Sequence, residues 1–464
     1  MVVDHADDRS VTLIAADRRS PRQMSYWLWM LVVGMASAIG VFVIANALLP
    51  AKHAVSRGQL GQDFLAFYSA GRLVEAGKTA ELYDLTALTT LQRSIAEESQ
   101  LSLVSDVAPW FNPPFAAWLF APFAHASFNA ALLWWTAFNI ACLAVAGWIL
   151  TNIIRQTSER RRDWLLVPAL LAVAPPTLQA LGHGQNSCLS LLLVTLCVAA
   201  WRARRPMLGG IAWTLLCYKP QLAVVVGVAM LGTFGWRFIV GALLALVPVL
   251  LITIDTMPGT LGAFFSRVPA NIAAYQLTHP PLWHRHVTFD GFFRSLLSPN
   301  AGASVHIAIK IAPAVCIAGV VALLARAWWQ TRSRARGDEP VHALSRDRFI
   351  ALVLLAMPLA SPYFVDYDLL LMAVPAVLIA REMMLAPDDS PAARALRVFG
   401  PITFIWLAIN PPLAGATGLN LTVPLLLTLV TLQARRCARL PEIAVIDVTK
   451  ASFADREFVT RVAA

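Results

Sequence analysis

A few ionisable side chains interrupt this apolar chain, and two of them have types and positions suited to acid–base and anion-binding chemistry. Asp63 lies in the segment GQDFLAFYSAGRLVEAG, just before a run with helical spacing of apolar residues. Its carboxylate suits either a helix N-cap or a general base, and both interpretations stay open. Lys219, within YKPQ, is flanked by apolar runs. A lysine at a membrane edge is costly unless it snorkels to water or meets an anion, so snorkelling and phosphate binding are its two interpretations.

Further polar side chains stand in short segments between apolar runs. The turn from Gly182 to Asn186 offers an imidazole and two amides to sugar hydroxyls, although a turn between helices favours Gly and Asn anyway. The segment SPYFVDYD carries two carboxylates, which suit ligand binding or solvated surface charge. The candidates for binding a sugar or an acceptor are Tyr68, Asn112, His183, Gln185, Asn186, Gln221, Asp366 and Asp368.

Residues 255–304 form a second polar segment, which is rich in arginine and histidine. Arg267 and Arg285 join Lys219 as candidates for binding a phosphate. The candidates for a proton shuttle are His279, His284 and His286. No Cys or HExxH motif accompanies these histidines, so we expect no metal and no cofactor.

The composition restricts the chain to one class of protein. Of its 464 residues, 58% are hydrophobic and only 14% charged, with a mean hydropathy of +0.63. A soluble domain does not tolerate so apolar a sequence. The net charge of +10 comes in arginine clusters between apolar runs, which is typical of membrane orientation signals and not of nucleic-acid binding. The six cysteines form no CxxC or Cys/His pattern and are expected to be free thiols.

Hydropathy predicts an all-α integral membrane protein, a multi-pass helical bundle with about twelve spans. An apolar run near the length needed to cross the bilayer marks each of the longer spans, and the shorter runs predict broken or tilted helices. The predicted spans are 26–49, 130–151, 164–181, 186–201, 206–217, 221–234, 236–254, 305–329, 348–360, 368–381, 396–409 and 419–433.

Arginine clusters follow alternate spans, which predicts that both termini are cytoplasmic in a plasma (inner) membrane. The tails are then 1–25 and 434–464, with a membrane domain over 26–433 that begins with an uncleaved signal anchor. The remaining loops face the exterior, and they carry all the candidate residues above. The largest are 50–128 and 255–304.

The first outside loop is expected to hold interfacial helices. Apolar residues recur near helical spacing after Asp63, which predicts an amphipathic helix on the membrane surface. Further on, FNPPFAAWLFAPF breaks at Pro113 and Pro114 before an apolar stretch too short to cross the bilayer. We expect a re-entrant helix or an interfacial hairpin there. Irregular backbone at membrane depth needs surrounding protein or a water-lined cavity, which favours a cavity beside Asp63.

In this order, the segments resemble glycosyltransferase family 87, within the GT-C superfamily of multi-pass transferases. The segments are GQDFLAFYSAGRLVEAG ending in LYD, FNPPFAAWLFAPF, the GHGQN turn, YKPQLAVVV and SPYFVDYDLLL. The resemblance implies a GT-C-type fold and inverting, metal-independent transfer of a hexose, typically mannose, or a pentose. The donor would be a polyprenyl-phosphate sugar and the acceptor a lipid or glycan outside the cytoplasm. Asp63 matches the essential acid of the first outside loop, whereas Asn112 departs from the aromatic residue usual before the double proline.

Two other functional classes compete with a transferase. A secondary transporter also has about twelve spans and broken helices, but no repeat is evident and the polar residues lie in loops instead of mid-membrane. A non-catalytic assembly protein for envelope polysaccharide would leave the polar clustering without a role.

Overall fold

Helices make up nearly all the regular structure of the chain. The computed structural model describes residues 13–14, 29–37, 39, 61–99, 101, 103, 107–155, 165–278, 282–297, 303–332, 340–385, 388–439 and 445–446. Residues 29–37, within the first predicted span, are helical. The strands β1 (Leu13–Ile14) and β2 (Val445–Ile446) pair antiparallel over two residues each.

The helices follow the apolar runs of the sequence closely. In the first half they are α1 Phe64–Glu75, α2 Leu85–Ser99, α3 Phe128–Arg155, α4 Leu166–Val173, α5 Pro175–His183, α6 Ser187–Arg202, α7 Pro206–Leu216 and α8 Pro220–Phe234. In the second half they are α9 Trp236–Thr256, α10 Thr260–Thr278, α11 Phe289–Leu297, α12 Ala303–Thr331, α13 Pro340–Ala360, α14 Ala373–Leu385, α15 Pro391–Thr417 and α16 Thr422–Cys437. Short 3-10 helices cover Thr79–Glu81, Pro114–Leu119, Ala121–His125, Trp283–Arg285 and Asp366–Met372.

Twelve complete spans are not confirmed. Within the described residues, four helices are long and apolar enough to cross a membrane, namely α3, α9, α12 and α15. A fifth crossing arises if α4 and α5, which meet at a 55° bend, form one broken span. The bend lies at Ala174, before Pro175 and Pro176, because proline disfavours helical backbone in the residue that precedes it. The apolar helices α6, α7 and α8 are shorter than a full crossing.

The helix after Asp63 is a core element and not a surface helix. Ten of the twelve residues of α1 are buried, which contradicts the amphipathic interfacial helix predicted for this segment. Phe64 stacks on Trp135 of α3, with ring centroids 5.9 Å apart, and Phe67 stacks on Phe120 at 4.9 Å. The aromatic residues that suggested a lipid-facing stripe pack inside the protein instead, because neighbouring segments cover both sides of α1.

Of the two interpretations of the FNPP segment, the re-entrant helix is wrong and the interfacial hairpin stays a prediction. Instead of one re-entrant helix, Pro114–Leu119 and Ala121–His125 form two consecutive 3-10 turns that pack on α1. Their prolines supply the fixed φ but not the N–H that a continuous α-helix would need. The Tyr83 hydroxyl donates to the Asn112 carbonyl over 2.9 Å and so holds the start of this segment.

The long-range packing centres on α6 and α13. Helix α6 packs against α3 and α7, while α13 packs against α12, α14 and α16. Residues Phe349 to Leu355 of α13 are buried almost completely, as is expected of a helix surrounded on all sides. The two helices also contact each other.

Gly71 allows α1 to approach the 3-10 turns closely, and Gly71→Ala tests this packing. A Cβ on Gly71 would lie 2.3 Å from the Phe120 carbonyl oxygen, a backbone atom that cannot swing away. We expect the variant to lose about 1–3 kcal/mol of stability, seen as a lower thermal midpoint in detergent. Gly262→Ala on α10 is the matched control, because nothing lies within 4 Å of its added Cβ. Equal midpoints for the two variants would contradict this account.

Candidate active site

The Asp63 segment and the GHGQN turn dock through backbone contacts. The Gly61 amide donates to the Gly182 carbonyl over 2.9 Å, and the Asp63 amide donates to the His183 carbonyl over 3.1 Å. Gly184 ends α5 in the left-handed conformation, with φ of 71°. A Cβ there would meet the Phe64 Cβ at 2.7 Å, so glycine is required for both its backbone angle and this close approach.

This docking points the Asp63 carboxylate at the side chain of Gln185. Gln185 Nε2 donates to Asp63 Oδ2 over 2.8 Å. Although Asp63 occupies the N-cap position of α1, its side chain accepts no hydrogen bond from the helix, so the capping interpretation is wrong. Within the described residues, Oδ1 of the half-buried Asp63 has no hydrogen-bond partner and remains available to a ligand.

A second carboxylate, Asp366, holds Arg285 in a two-pronged ion pair. Arg285 Nε donates to Asp366 Oδ2 over 3.0 Å, and Nη2 donates to Oδ1 over 2.8 Å. The loop that carries Arg285 is fixed beside SPYFVDYD, because the Val287 amide donates to the Phe364 carbonyl over 2.8 Å. Asn420 Nδ2 also donates to the His284 carbonyl over 2.8 Å. In the described part of the chain, Arg285 Nη1 makes no hydrogen bond.

The third carboxylate, Asp368, pairs with Lys219 in the protein interior. Lys219 Nζ lies 2.8 Å from Asp368 Oδ1, and Ser187 Oγ donates to the same oxygen over 2.6 Å. The side chains of Lys219 and Asp368 are only 7% and 2% exposed. Lys219 therefore does not snorkel to water, because a buried carboxylate satisfies its charge.

Tyr367 lies between the two ion pairs. The Lys219 Nζ and the Arg285 guanidinium carbon lie 6.0 Å and 5.8 Å from its ring centroid, within the range of cation–π attraction. The negative charge of Asp63 acts on both Arg285 and Tyr367, so all three carboxylates belong to one electrostatic neighbourhood. We call this group the polar cluster; its members are Asp63, Gln185, Ser187, Lys219, Arg285, Asp366, Tyr367 and Asp368.

Asn186 and Gln221 border the polar cluster. Asn186 is buried, with a carbonyl that accepts from the Tyr218 hydroxyl over 3.1 Å. Its side-chain Oδ1 is buried and has no partner in the described structure. The Gln221 carbonyl accepts from Ser361 Oγ over 3.3 Å, next to SPYFVDYD. The His183 side chain is half-buried in the turn that holds Asp63.

Other predicted site residues make no described contact with the polar cluster. Tyr68 is buried in the aromatic core, where its hydroxyl donates to the Ala126 carbonyl over 2.7 Å. Arg267 is exposed on α10 and has no ion pair among the described residues. Asn112 lies half-buried at the start of the 3-10 turns. His279 lies outside the described residues.

Sequence reasoning missed Ser187 and underrated Tyr367. Tyr367 was not among the candidate residues, yet it is only 7% exposed and lies between two cations. Ser187 directly follows the GHGQN turn, and a hydroxyl at the start of a buried helix next to a polar motif was the available signal. The partners of these two residues could not be predicted from local sequence. Ser187 contacts Asp368 and Tyr367 contacts Arg285, and each pair is more than 80 residues apart in the chain.

An open apolar groove of about 410 Å³ runs beside the polar cluster. Its walls come from the first 3-10 turn, α6, α7 and α9. It is lined by Phe115, Ala116, Trp118, Leu119, Leu189, Leu193, Thr214, Leu215, Tyr218, Val249, Ile252 and Thr253. Tyr218 precedes Lys219 in the chain and bonds Ser190 Oγ at 2.6 Å, so one end of the groove adjoins the polar cluster.

His286 is buried against the polar cluster and is held in its neutral form. Its ring packs on Tyr363 at 4.9 Å and on Trp283 at 5.1 Å. Burial lowers the pKa of His286 to about 4, against the attraction of Asp290 and Asp366. Burial and the charge of Arg285 also lower the pKa of His284. Both imidazoles are therefore uncharged at neutral pH.

The burial of His286 predicts a loss of stability in mild acid. The unfolded chain takes up a proton near pH 6.5, whereas the folded chain resists it until about pH 4, so stability falls as the pH drops through this window. The contribution is about 3 kcal/mol when fully developed. Thermal midpoints measured from pH 7 to pH 4 should show a shallower decline for His286→Asn. His125→Asn, which changes an exposed histidine, should keep the slope of the unmodified protein. Identical slopes for all three proteins would contradict the burial argument.

Comparison with known proteins identifies the family. The sequence profile of glycosyltransferase family 87 matches residues 110–362, which is 253 of the 464 residues. The match includes the FNPP segment, the GHGQN turn and Lys219, and it begins after Asp63 and ends before Asp366. No curated protein and no solved structure matches the chain. Because the match covers more than half of its length, the chain belongs to glycosyltransferase family 87 and is a membrane glycosyltransferase.

Proposed function

We propose that this protein transfers a hexose, mannose in the first instance, or a pentose from a polyprenyl-phosphate donor to a lipid or glycan acceptor at the outer face of the plasma membrane. The observation that carries the proposal is the meeting of three elements: a carboxylate with a free oxygen, a guanidinium with a free nitrogen, and an apolar groove. An acid–base group, an anion contact and a lipid channel are what such a transfer needs.

In the proposed mechanism, Asp63 is the general base. Its Oδ2 is held by Gln185, while Oδ1 can accept the proton of the acceptor hydroxyl as that oxygen attacks the anomeric carbon. The bond between the anomeric carbon and the phosphate oxygen breaks as the new glycosidic bond forms, with inversion at the carbon. Gln185 then acts as a positioning residue, because its amide fixes which carboxylate oxygen faces the acceptor.

Arg285 is the proposed contact for the donor phosphate. Asp366 occupies its Nε and Nη2, which fixes the guanidinium plane and leaves Nη1 for a phosphate oxygen. Lys219 also remains near enough to act on the departing phosphate through its charge, but Asp368 and burial limit its direct contact. We therefore assign Lys219 mainly to positioning Asp368 and Tyr367. Arg267, exposed on α10, would reach the phosphate only from the rim.

Sugar and acceptor contacts are proposed for side chains at the edge of the polar cluster. The unpartnered Asn186 Oδ1 is a buried acceptor that a sugar hydroxyl or an ordered water would satisfy. His183, Gln221 and the carboxylates of Asp366 and Asp368 border the same space. The ring of His286 packs against Tyr363 and Trp283, whereas Asp63 Oδ1 accepts no hydrogen bond in the described structure, so the proton is assigned to Asp63.

The apolar groove is the proposed site for the donor's prenyl chain. Leucine, phenylalanine and tryptophan side chains line it, and it includes the exposed Trp118, which we place in contact with lipid. A prenyl chain in this groove would keep its phosphate near Tyr218 and Lys219 without leaving an apolar environment. A transporter would instead need its polar site at the middle of the membrane, whereas the polar cluster lies at helix ends.

Asp63→Asn tests the proposed base. An amide keeps the size of the side chain and can still contact Gln185, but it cannot take up the proton. We expect transfer from a labelled polyprenyl-phosphate sugar, measured in membranes with verified expression, to fall by about 100-fold or more. Asp255→Asn removes an exposed carboxylate at the end of α9 and should retain activity. Activity of the Asp63 variant within twofold of the unmodified protein would remove this residue from the mechanism.

Leu189→Trp tests the groove. The larger side chain would fill part of the space proposed for the prenyl chain, so KM for a long-chain donor should rise about tenfold through lost apolar burial. A short-chain donor, which does not reach along the groove, should show nearly unchanged KM. Leu208→Trp, at an exposed position on α7 outside the groove, is the control. Equal effects on long and short donors would place the prenyl chain elsewhere.

A further inference from the structure

A second group of charges lies at the opposite end of the bundle from the polar cluster. Ser187 begins α6 in the polar cluster, and Arg202 ends the same helix, roughly 22 Å away at 1.5 Å per residue. Arg202 and Arg381 belong to arginine clusters that were predicted to be membrane orientation signals. Several of these arginines are instead buried between helices.

In this group, two arginines share one carboxylate. Arg202 Nε donates to Asp347 Oδ1 over 2.8 Å, and Arg381 Nη1 donates to Asp347 Oδ2 over 3.1 Å. The three side chains are 19%, 10% and 2% exposed, for Arg202, Arg381 and Asp347 respectively. Within the described residues, no other acid pairs with either arginine, so their shared site carries one positive charge in excess.

Two further observations point to a missing anion. Arg346, which is only 9% exposed, and Arg202 both repel the charge of Arg381, so positive charge is concentrated around Arg381. Arg381 Nε is buried and, in the described structure, donates to nothing. A buried guanidinium N–H without an acceptor is costly, and an oxyanion would satisfy both the donor and the excess charge.

The excess of positive charge around Asp347 does not extend to the neighbouring ion pairs. Arg348 and Arg436 both donate to Glu382 Oε1, over 2.6 Å and 2.8 Å, and Arg436 also donates to Asp388 over 3.2 Å. That network has two positive and two negative side chains and is balanced. The group around Asp347, only one residue away on α13, is not balanced.

We propose that Arg202, Arg346 and Arg381 form a binding site for a phosphate or phosphodiester anion around Asp347. The guanidinium groups supply charge-assisted donors of the kind that recognise phosphate oxygens. Arg346 also lines a narrow recess with Trp201, Trp328 and Arg332. Arg332 stacks on the 63% exposed Trp329 at 3.7 Å, and exposed Trp beside Arg is typical of the lipid headgroup level. A phospholipid headgroup and a soluble phosphate share this chemistry.

Thermal stability with and without anions tests the site. The protein is placed in phosphatidylcholine nanodiscs with or without phosphatidylglycerol, and in neutral detergent with inorganic phosphate or chloride at equal ionic strength. Anion binding should raise the thermal midpoint. A response to phosphatidylglycerol alone identifies a headgroup site, and an additional response to inorganic phosphate identifies a site open to soluble phosphate. Absence of both responses would overturn the proposal.

The variants separate anion binding from a purely structural role. Arg381→Gln leaves one arginine on Asp347 and should weaken the apparent anion affinity about tenfold. Arg346→Gln keeps both Asp347 bonds and should act in the same direction even if the first variant fails to accumulate. Asp347→Asn removes the negative charge that competes with the anion, so it should strengthen anion binding. The variant should be less stable than the unmodified protein without anion, and anion should raise its thermal midpoint by more. Arg435→Gln, which removes an exposed arginine of α16, is the control and should respond as the unmodified protein does. Anion responses unchanged in the Arg381, Arg346 and Asp347 variants would show that the group only ties helices together.

Discussion

The ion pair between Lys219 and Asp368 constrains the site more than any other interaction. Both charges are almost without water, so separating them would leave a buried charge unpaired, at a cost of about 3–5 kcal/mol. The pair joins the junction of α7 and α8 to the 3-10 helix before α14, and Ser187 adds the start of α6. Because these segments are held together, Tyr367 and Asp366 project from the same 3-10 turn towards Arg285. The arrangement of the remaining site residues follows from this connection.

The apolar elements of the fold were readable from the sequence, whereas their surroundings were not. Hydropathy located most helices within a few residues, because the free energy of burying apolar side chains depends on composition within one segment. The environment of α1 depends on what covers it. The same sequence pattern, with aromatic residues such as Phe64 and Phe67 on a helix, fits a helix that faces lipid and a helix that packs against Trp135. For this reason α1 was wrongly predicted to lie on the membrane surface. The 3-10 turns after Asn112 were missed because two prolines signal only that a regular helix stops.

The sequence predicted which segments form the candidate site, but not which side chains pair with each other in it. The segments predicted to lie outside do converge, and Asp63, Lys219 and Arg285 share one electrostatic neighbourhood. Their partners were not predictable, since Lys219 and Asp368 are 149 positions apart and either aspartate of SPYFVDYD suited either cation. The arginines were misjudged for a related reason. A cluster such as Arg202, Arg204 and Arg205 indicates a membrane side, but it does not reveal that Arg202 turns inward to Asp347.

The charge balance of the polar cluster bears on how Asp63 would work as a base. The cluster holds three carboxylates, Asp63, Asp366 and Asp368, against the two cations Lys219 and Arg285. It therefore carries one negative charge before any donor arrives, and a phosphodiester adds another. Since Arg285 already interacts with both Asp366 and Asp63, it is the group able to screen the phosphate from these carboxylates. Without this screening, the incoming phosphate and the carboxylate of Asp63 would repel each other, so the proposed base and the proposed donor site both depend on Arg285.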